Sequence, residues 1–292
     1  MQIQTDTFSR RVQGRGIGED TYTEYLRWVR RFGEWTDEEG YTDIGIGTLI
    51  EYDEALMDPP AAGVEHRETP YAYRTRAVAL SAVKKYVEVV EGVDIDSDVD
   101  DIVKGEPAEF DPYIYTTDQI ETVLREDCDC TGCLAARALG YEAVMRAAEV
   151  TRVRPEDLDY DNHSVYVRGV KGSENRHIEI PDETWELVAD QHERVAERFD
   201  DPAKLFYDTT DSNGWSPNGW SEHYRRNHAP DIEGENTGFH SFARHTRITR
   251  LLQSGADFGE VYLKARHSNP QMTSRYAQVA GVGTPDDDLF AE

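Results

Sequence analysis

Two short stretches in the C-terminal third of the chain decide the interpretation of this sequence. They read FHSFARHT over residues 239–246 and ARHSNPQMTSRYA over residues 265–277. Each stretch places a histidine close to an arginine, and in the second one Tyr276 follows His267 by nine residues. Guanidinium, imidazole and phenol groups can bind an anion, move a proton and supply an oxygen nucleophile. Together they are the groups that a metal-free reaction at phosphorus needs.

Working outward from these stretches, two further basic candidates lie upstream. Arg146 stands in MRAAEV, residues 145–150, on an apolar segment predicted to be helical. Residues 164–168 and 177–180 alternate in character, which predicts a β-hairpin. Lys171 lies in the glycine-containing segment between these two strands and is therefore expected at the hairpin tip.

These motifs, in this order, resemble the conserved boxes of the tyrosine recombinases, the phage-integrase family. MRAAEV resembles the first arginine box, and Lys171 stands where the family keeps its catalytic lysine. Residues 239–246 resemble the second box, residues 265–269 the third box, and residues 273–277 the nucleophile box. Five matches in the family's order are specific, and the resemblance covers residues 113–280.

The resemblance implies a site-specific DNA recombinase, or integrase, that cuts and rejoins double-stranded DNA through a 3′-phosphotyrosine intermediate. It implies a homotetramer at synapsis and no cofactor or catalytic metal. The implied catalytic residues are a nucleophile (Tyr276), two phosphate-binding arginines (Arg146 and Arg244), a general acid (Lys171), and two hydrogen-bond donors or proton acceptors (His240 and His267). Two alternatives share the fold: a DNA-binding protein that has lost turnover, and a type IB topoisomerase.

The second box departs from the family pattern, which spaces its histidine and arginine as H-x-x-R. Here His240 and Arg244 are four residues apart, and Ser241 occupies the expected position. Either His240 reaches the site from a shifted helix start, which we favour, or Ser241 fills its place. His245 is expected to pack against or orient its neighbours.

Two positions where the family commonly has glycine carry larger residues. Val144 precedes the first box, and Arg266 precedes the third-box histidine. Neither replacement removes a catalytic atom, but both are expected to alter the local backbone geometry.

The three cysteines of the chain, Cys128, Cys130 and Cys133, all lie in the segment CDCTGC. They are too few for a disulfide framework. Three thiolates at this density are a weak zinc candidate, because a closed zinc site needs four ligands and a nearby histidine or aspartate would have to complete it. The alternative is a reduced loop between two helices.

The chain is predicted to be mainly α-helical with a small β-hairpin or sheet. A helical domain over residues 1–95 resembles the family's DNA core-binding domain, and an α+β catalytic domain follows over residues 113–282. An acidic linker, 96–112, separates them, and an acidic tail occupies 283–292. The helices predicted from apolar periodicity are 21–36, 46–57, 71–91, 117–126, 132–141, 144–153, 182–198, 217–227, 241–253, 257–265 and 270–278.

The chain of 292 residues carries a formal net charge of −27. Only six of its 31 basic residues are lysine. Many acidic residues with few lysines resemble proteins from cells that accumulate molar salt, where the Debye length is about 3 Å and self-repulsion is screened. We therefore interpret the acidity as adaptation of a halophilic protein to its solvent, and not as evidence against a nucleic-acid partner. The absence of any long apolar run excludes a membrane protein, and a cytoplasmic location is expected.

Overall fold

The computed structural model describes residues 4–12, 17–62, 69–126, 132–170, 173–207 and 214–282. The chain divides into two compact units, residues 1–109 and 110–292. The predictions for Lys171, Cys128, Cys130 and the tail 283–292 lie outside the described residues. Within the described part of the chain, no helix is long and apolar enough to cross a membrane.

The first unit is a bundle of helices around an aromatic core. In α2 (Glu19–Glu39), Trp28, Phe32 and Trp35 recur at helical spacing and are buried, and the Phe32 ring lies 5.0 Å from that of Tyr52. The predicted helices 21–36, 46–57 and 71–91 are confirmed, the last one ending in a π turn, Val87–Glu91. Two short helices, α1 and α5, were not predicted. The helices are α1 (Thr5–Val12), α2 (Glu19–Glu39), α3 (Ile46–Met57), α4 (Tyr73–Tyr86) and α5 (Val99–Ile102).

The segment 96–112, predicted as a linker, contributes to both units. Ile102 is buried in the first core, and the Lys104 amide donates to the Asp53 carboxylate at 2.9 Å. That carboxylate also forms a buried ion pair with Arg76 at 2.5 Å. Phe110, by contrast, packs against the core of the second unit. The apolar residues of this segment thus pack with the cores of both units.

The second unit is mainly helical with one small sheet, in agreement with the predicted fold class. Its helices are α6 (Thr117–Arg125), α7 (Cys133–Glu142), α8 (Ala147–Val150), α9 (Asp182–Arg198), α10 (Pro217–Asn227), α11 (Arg247–Gln253), α12 (Phe258–Ala265) and α13 (Pro270–Ala280). Helix α6 begins at a Thr116 capping box, whose hydroxyl accepts from the Gln119 amide, as the sequence favours.

The predicted hairpin is confirmed and belongs to a three-stranded antiparallel sheet. Strands β1 (Leu158–Asp159), β2 (Ser164–Val167) and β3 (Arg176–Glu179) lie in the order β1-β2-β3. Val165 pairs with Ile178, and both are buried in the main core of the unit. The alternation of apolar and polar residues thus packs one face of the hairpin against the core. The segment between β2 and β3 contacts Arg146 through Ser173.

The predicted helix 144–153 is wrong. Only residues Ala147–Val150 are helical, because α7 ends before Val144, which has the left-handed φ of 52°. Arg146 is extended, with φ −77° and ψ 156°, and stands directly before α8. The first three residues of the predicted helix therefore form the turn between α7 and α8.

Candidate active site

Two left-handed helix ends deliver side chains to the candidate site. After α7, the Met145 amide donates to the Gly140 carbonyl at 2.8 Å around Val144. After α12, the Arg266 amide donates to the Leu263 carbonyl at 3.1 Å, and Arg266 also has φ 52°. Helices commonly terminate on such a residue, most often a glycine. The two positions where valine and arginine replace the family's glycine therefore keep the backbone conformation that glycine favours.

The irregular second box coincides with a π turn. Residues Ser241–Thr246 form a π-helix that continues directly into α11. A π turn contains one more residue than an α turn and is frequent at functional sites. Four residues of a π-helix rotate about the helix axis by nearly the same angle as three residues of an α-helix. The step from His240 to Arg244 therefore matches the three-residue step of the family in rotation.

Arg244 joins the two left-handed turns. Its guanidinium is buried and donates from Nη1 to the Val144 carbonyl at 2.7 Å and from Nη2 to the Ala265 carbonyl at 2.9 Å. Burial and the nearby charge of Arg146 lower the pKa of Arg244 to about 9. The group is still a cation at neutral pH.

The Glu149 carboxylate holds two more arginines. It accepts from Arg266 Nη2 at 2.8 Å, from Arg146 Nη1 at 3.1 Å and from the Arg146 amide at 2.7 Å. Burial would raise the pKa of Glu149, but Arg266 and the amide of Arg146 outweigh burial and lower it. Arg146 Nη1 also donates to Ser173 Oγ at 2.9 Å, so the hairpin arm contacts the first-box arginine.

Among the described residues, this cluster sets three guanidinium groups against one carboxylate. Arg244, Arg266 and Glu149 are almost completely buried, whereas the Arg146 side chain is 17% exposed. A buried charge without a counter-charge is costly. The excess positive charge can therefore be balanced by a bound anion, with Arg146 on the accessible side.

Tyr276 lies beside these cations. It is 5% exposed, and its Oη lies 2.8 Å from His245 Nδ1. Burial lowers the pKa of His245 to about 4, so the imidazole is neutral. In the tautomer that carries its proton on Nε2, Nδ1 accepts a hydrogen bond from the phenol. Burial raises the pKa of Tyr276, and the charges of Arg244 and Arg146 oppose that rise. The phenol is thus protonated at rest and already directed at a proton acceptor.

His267 completes the cluster. Its ring stacks on Tyr276 with centroids 5.8 Å apart, and its Nδ1 lies 2.8 Å from Thr273 Oγ1. Burial, reinforced by the arginine charges, lowers the pKa of His267 to about 3. Two buried nitrogen atoms here, His267 Nε2 and Arg266 Nε, have no hydrogen-bond partner within the described ranges. Buried polar atoms are nearly always paired, so these two atoms are candidates to meet a ligand.

Neither second-box alternative contacts the Tyr276 hydroxyl in the described part of the chain. His240 is exposed and its ring meets the His245 ring edge-on at 4.6 Å. The hydroxyl of Ser241 is buried and donates to the Asn236 carbonyl at 2.5 Å. His245, to which the sequence assigned only a packing or orienting role, makes the contact instead.

An open cleft of about 240 Å³ leads to the cluster. The hairpin residues Glu174 and Arg176 line one side of it, and Arg266, His267 and Ser268 line the other. The structure therefore brings together Arg146, Arg244, His267 and Tyr276 from four separate motifs. The predicted site residue Lys171 lies outside the described residues.

Arg266 and Ser173, which contact Glu149 and Arg146, were not among the site residues predicted from the sequence. The signal for Arg266 was present, since an arginine in place of glycine is unusual, but only its effect on the backbone was considered. Sequence analysis also missed His223 and His228, whose Nε2 atoms lie 3.4 and 3.2 Å from Cys133 Sγ. Those three side chains form a second cluster with metal-ligand chemistry.

Comparison with known proteins places these observations in a family. The model of the phage integrase family matches residues 115–281. Over 141 residues, 48% of this chain, the sequence is 30% identical to tyrosine recombinase XerC of Corynebacterium glutamicum. Over 137 residues, 46% of this chain, it is 28% identical to putative integrase/recombinase y4rA of Sinorhizobium fredii. The matches cover 44% and 33% of the length of these two relatives.

Solved structures show the same fold. The lambda integrase dimer bound to a COC′ core site matches with a TM-score of 0.69 and 13% identity, covering 93% of each chain. The Tn1549 transposon integrase in complex with transposon right-end DNA matches with a TM-score of 0.66 and 17% identity, covering 100% of this chain and 98% of the other. The family model spans more than half of the sequence and includes all four motifs that converge on the arginine cluster. On this basis, the chain belongs to the phage integrase family.

Proposed function

We propose that this protein is a site-specific DNA recombinase that cuts and rejoins double-stranded DNA through a 3′-phosphotyrosine intermediate. One observation carries the proposal: Tyr276, hydrogen-bonded to a neutral histidine, lies within the field of a buried arginine cluster that has one carboxylate for three cations. A phosphodiester supplies the negative charge that this cluster lacks. The phenol supplies the nucleophile.

In the cleavage step, Tyr276 Oη forms a bond to phosphorus while the bond from phosphorus to the 5′ oxygen breaks. The phenol proton moves to His245 Nδ1, which lies 2.8 Å from the Tyr276 hydroxyl oxygen and is the acceptor when Nε2 carries the imidazole proton. A tyrosine of ordinary pKa, about 10, costs roughly 4 kcal/mol to ionise at pH 7, so transfer during attack is favoured over prior ionisation. Religation is the reverse, with the 5′ hydroxyl attacking the phosphotyrosine.

Arg146 and Arg244 would stabilise the charge that develops on the non-bridging oxygens, and the unpaired Nε2 of His267 would add one hydrogen bond. Preorganised donors of this kind are usually the largest catalytic contribution. Lys171 remains a prediction as the acid that protonates the leaving 5′ oxygen. His240 remains a prediction as a further hydrogen-bond donor at this site.

We propose that the reaction needs no metal ion, because the arginines supply the charge neutralisation that a metal ion supplies in other nucleases. Cleavage should therefore persist in a chelator. The roles of the two units follow the same reasoning: residues 1–95 are proposed to bind the core DNA site, and residues 113–282 to carry the chemistry.

The proposed partner is double-stranded DNA, with a homotetramer at synapsis. Two observations on relatives support this: one solved lambda integrase is a dimer bound to a COC′ core site, and another is a tetramer bound to a Holliday junction. Recombination requires access to DNA, so we place the protein in the cytoplasm.

We also propose that the net charge of −27 reflects a halophilic host. Ordinary DNA binders lose affinity steeply as salt rises, because binding releases counterions. This protein is expected to fold and to bind DNA in molar KCl. A steep loss of binding between 0.1 and 1 M KCl would contradict this interpretation.

Covalent trapping tests the function directly. The full chain is mixed with supercoiled and nicked duplex DNA from its genomic neighbourhood in molar KCl and quenched with detergent. We expect a protein–DNA adduct that disappears in Tyr276→Phe and persists in the control Tyr160→Phe, an exposed tyrosine of the second unit. Binding without any adduct would favour the inactive DNA-binding alternative. Relaxation of supercoils without a requirement for two sites would favour the topoisomerase.

A further inference from the structure

Cys133, His223 and His228 converge in the second unit and lie outside all the recombinase motifs. Cys133 is the first residue of α7, His223 lies in α10, and His228 directly follows α10. Cys133 Sγ lies 3.4 Å from His223 Nε2 and 3.2 Å from His228 Nε2, and the three ligand atoms lie within 4.8 Å of one another. Cys133 and His228 are buried, and His223 is half-buried.

These separations match a shared metal ion. With zinc–sulfur and zinc–nitrogen bonds of about 2.3 and 2.05 Å in a tetrahedron, sulfur and nitrogen ligands lie about 3.5 Å apart. One thiolate with two imidazoles suits zinc better than magnesium or calcium, which prefer oxygen ligands. We propose that Cys133, His223 and His228 bind a zinc ion that ties the start of α7 to the end of α10.

The surroundings of His228 fit a metal ligand. Binding through Nε2 requires the proton on Nδ1, and metal-bound histidines usually donate that proton to a carboxylate or carbonyl group. The Glu126 carboxylate lies 3.9 Å from His228 Nδ1. Arg137 Nη1 also faces Nδ1 at 3.0 Å, but it donates to the Val123 carbonyl at 2.6 Å as well. When zinc binds Nε2, Nδ1 carries the proton, and the Glu126 carboxylate must approach from 3.9 Å to accept it while Arg137 keeps the Val123 carbonyl as its acceptor.

The site around His223 is enclosed by aromatic rings. The Trp215 ring lies 4.8 Å from His223, and the Trp220 ring stacks on it at 6.0 Å. On the outer side, the Asn227 amide lies 3.3 Å from His223 Nδ1. Packing of this kind fixes the imidazole so that only Nε2 faces the thiol.

The zinc ion would have a structural role. Helix α7 runs from Cys133 to the left-handed turn at Val144 that positions Arg146. A metal that fixes the start of this helix to α10 stabilises the scaffold of the phosphate site without contacting DNA. Among the described residues, the proposed ligands are these three. Cys128 and Cys130 lie outside the described residues.

Metal analysis of the purified full chain, prepared without chelator, tests the proposal. We expect about one zinc ion per chain, as in other single structural sites. Cys133→Ser and His228→Asn should each lose most of this zinc, and His192→Asn, a histidine outside the cluster, should keep it. Glu126→Gln should retain zinc but weaken its affinity by about tenfold, as expected for a group that orients a ligand.

The wild-type chain gives a second readout in case a ligand variant fails to fold. A chelator should lower its melting temperature, added zinc should restore it, and cobalt in place of zinc should produce a thiolate-to-cobalt absorption band. A wild-type chain without zinc and without a thermal response to added zinc would overturn the proposal. So would zinc that stays in Cys133→Ser and His228→Asn but leaves in Cys128→Ser or Cys130→Ser.

Discussion

Arg266 donates a hydrogen bond from Nη2 to the carbonyl oxygen of Val144 at 2.9 Å, and both residues have a φ of 52°. Each therefore adopts a left-handed conformation that costs an ordinary residue about 1–2 kcal/mol. Arg244 donates to the same Val144 carbonyl and to Ala265, the residue before Arg266. The two arginines thus hold two strained helix ends together, and these ends carry Arg146 and His267 into the site.

The strain at Val144 predicts that glycine is more stable than alanine at this position, the reverse of the usual order within a helix. Val144→Ala and Val144→Gly both lose the buried valine methyl groups, but only glycine tolerates the left-handed backbone without cost. We expect Val144→Gly to be more stable than Val144→Ala by about 1 kcal/mol. Denaturant unfolding of the two variants measures the difference.

The control for this comparison is Ala196→Gly, at an exposed position in α9. There glycine should be less stable than alanine by about 0.5–1 kcal/mol. If Val144→Gly is less stable than Val144→Ala, the left-handed conformation of Val144 does not strain the backbone.

Glu149→Gln should destabilise the protein strongly and make it depend on anions. The carboxylate is buried and contacts both Arg266 and Arg146. Removing one partner of a buried ion pair costs about 3–5 kcal/mol. Sulfate, as a phosphate analogue, should raise the melting temperature of this variant more than that of the wild type, because an anion that binds only the folded state stabilises it.

Glu142→Gln is the matched control for the charge change. Glu142 pairs with Arg247 at 2.5 Å, and neither residue belongs to the cluster of Arg146, Arg244, Arg266 and Glu149. This variant should respond to sulfate as the wild type does. An equal sulfate response in Glu149→Gln would mean that the cluster has no unmet need for an anion.

Much of the fold followed from local patterns in the sequence. Apolar periodicity predicted residues 182–198 and 217–227 with their observed bounds, and alternation predicted the hairpin of β2 and β3. The helix 144–153 failed because periodicity does not report the backbone angle of a single residue. Val144 would suit a helix by its apolar character, and long-range hydrogen bonds from Arg244 and Arg266 hold it in a turn instead.

The site was predictable to the extent that each residue belongs to an ordered motif. Arg146, Arg244, His267 and Tyr276 are such residues, and the structure brings them together. The contacts of His245 and Arg266 depend on the π turn at Ser241–Thr246 and on packing between distant segments. A spacing pattern contains no information on either.

His245 and His240 should differ sharply in their effect on cleavage. His245 Nδ1 lies 2.8 Å from the Tyr276 hydroxyl and is the proposed proton acceptor, whereas the His240 ring meets the edge of the His245 ring. A positioned proton acceptor contributes about 10²- to 10⁴-fold. We expect His245→Asn to slow covalent complex formation by about 100-fold or more, and His240→Asn by less than about tenfold. Quenched-flow trapping measures both rates.

The pH profile separates a proton acceptor from a packing residue. Because the pKa of His245 is about 4, the wild-type rate should be nearly constant above pH 5. Without this acceptor the phenol must lose its proton to solvent, so the His245→Asn rate should rise by about tenfold per pH unit. A rate that does not change with pH in His245→Asn would contradict the role of His245 as proton acceptor. So would a loss of cleavage rate in His240→Asn as large as the loss in His245→Asn.

His267 should make the protein sensitive to mild acid. Burial lowers its pKa to about 3 in the folded chain, against about 6.5 when unfolded. Below pH 6.5 the unfolded state therefore binds a proton that the folded state does not, and stability falls by about 1.4 kcal/mol per pH unit until the folded pKa is reached. His267→Asn lacks this contribution, so the unfolding free energies of wild type and variant should converge by about 2 kcal/mol between pH 7 and pH 5. Parallel curves over this range, measured by denaturant unfolding at constant salt, would show that His267 is not held neutral beside the three arginines.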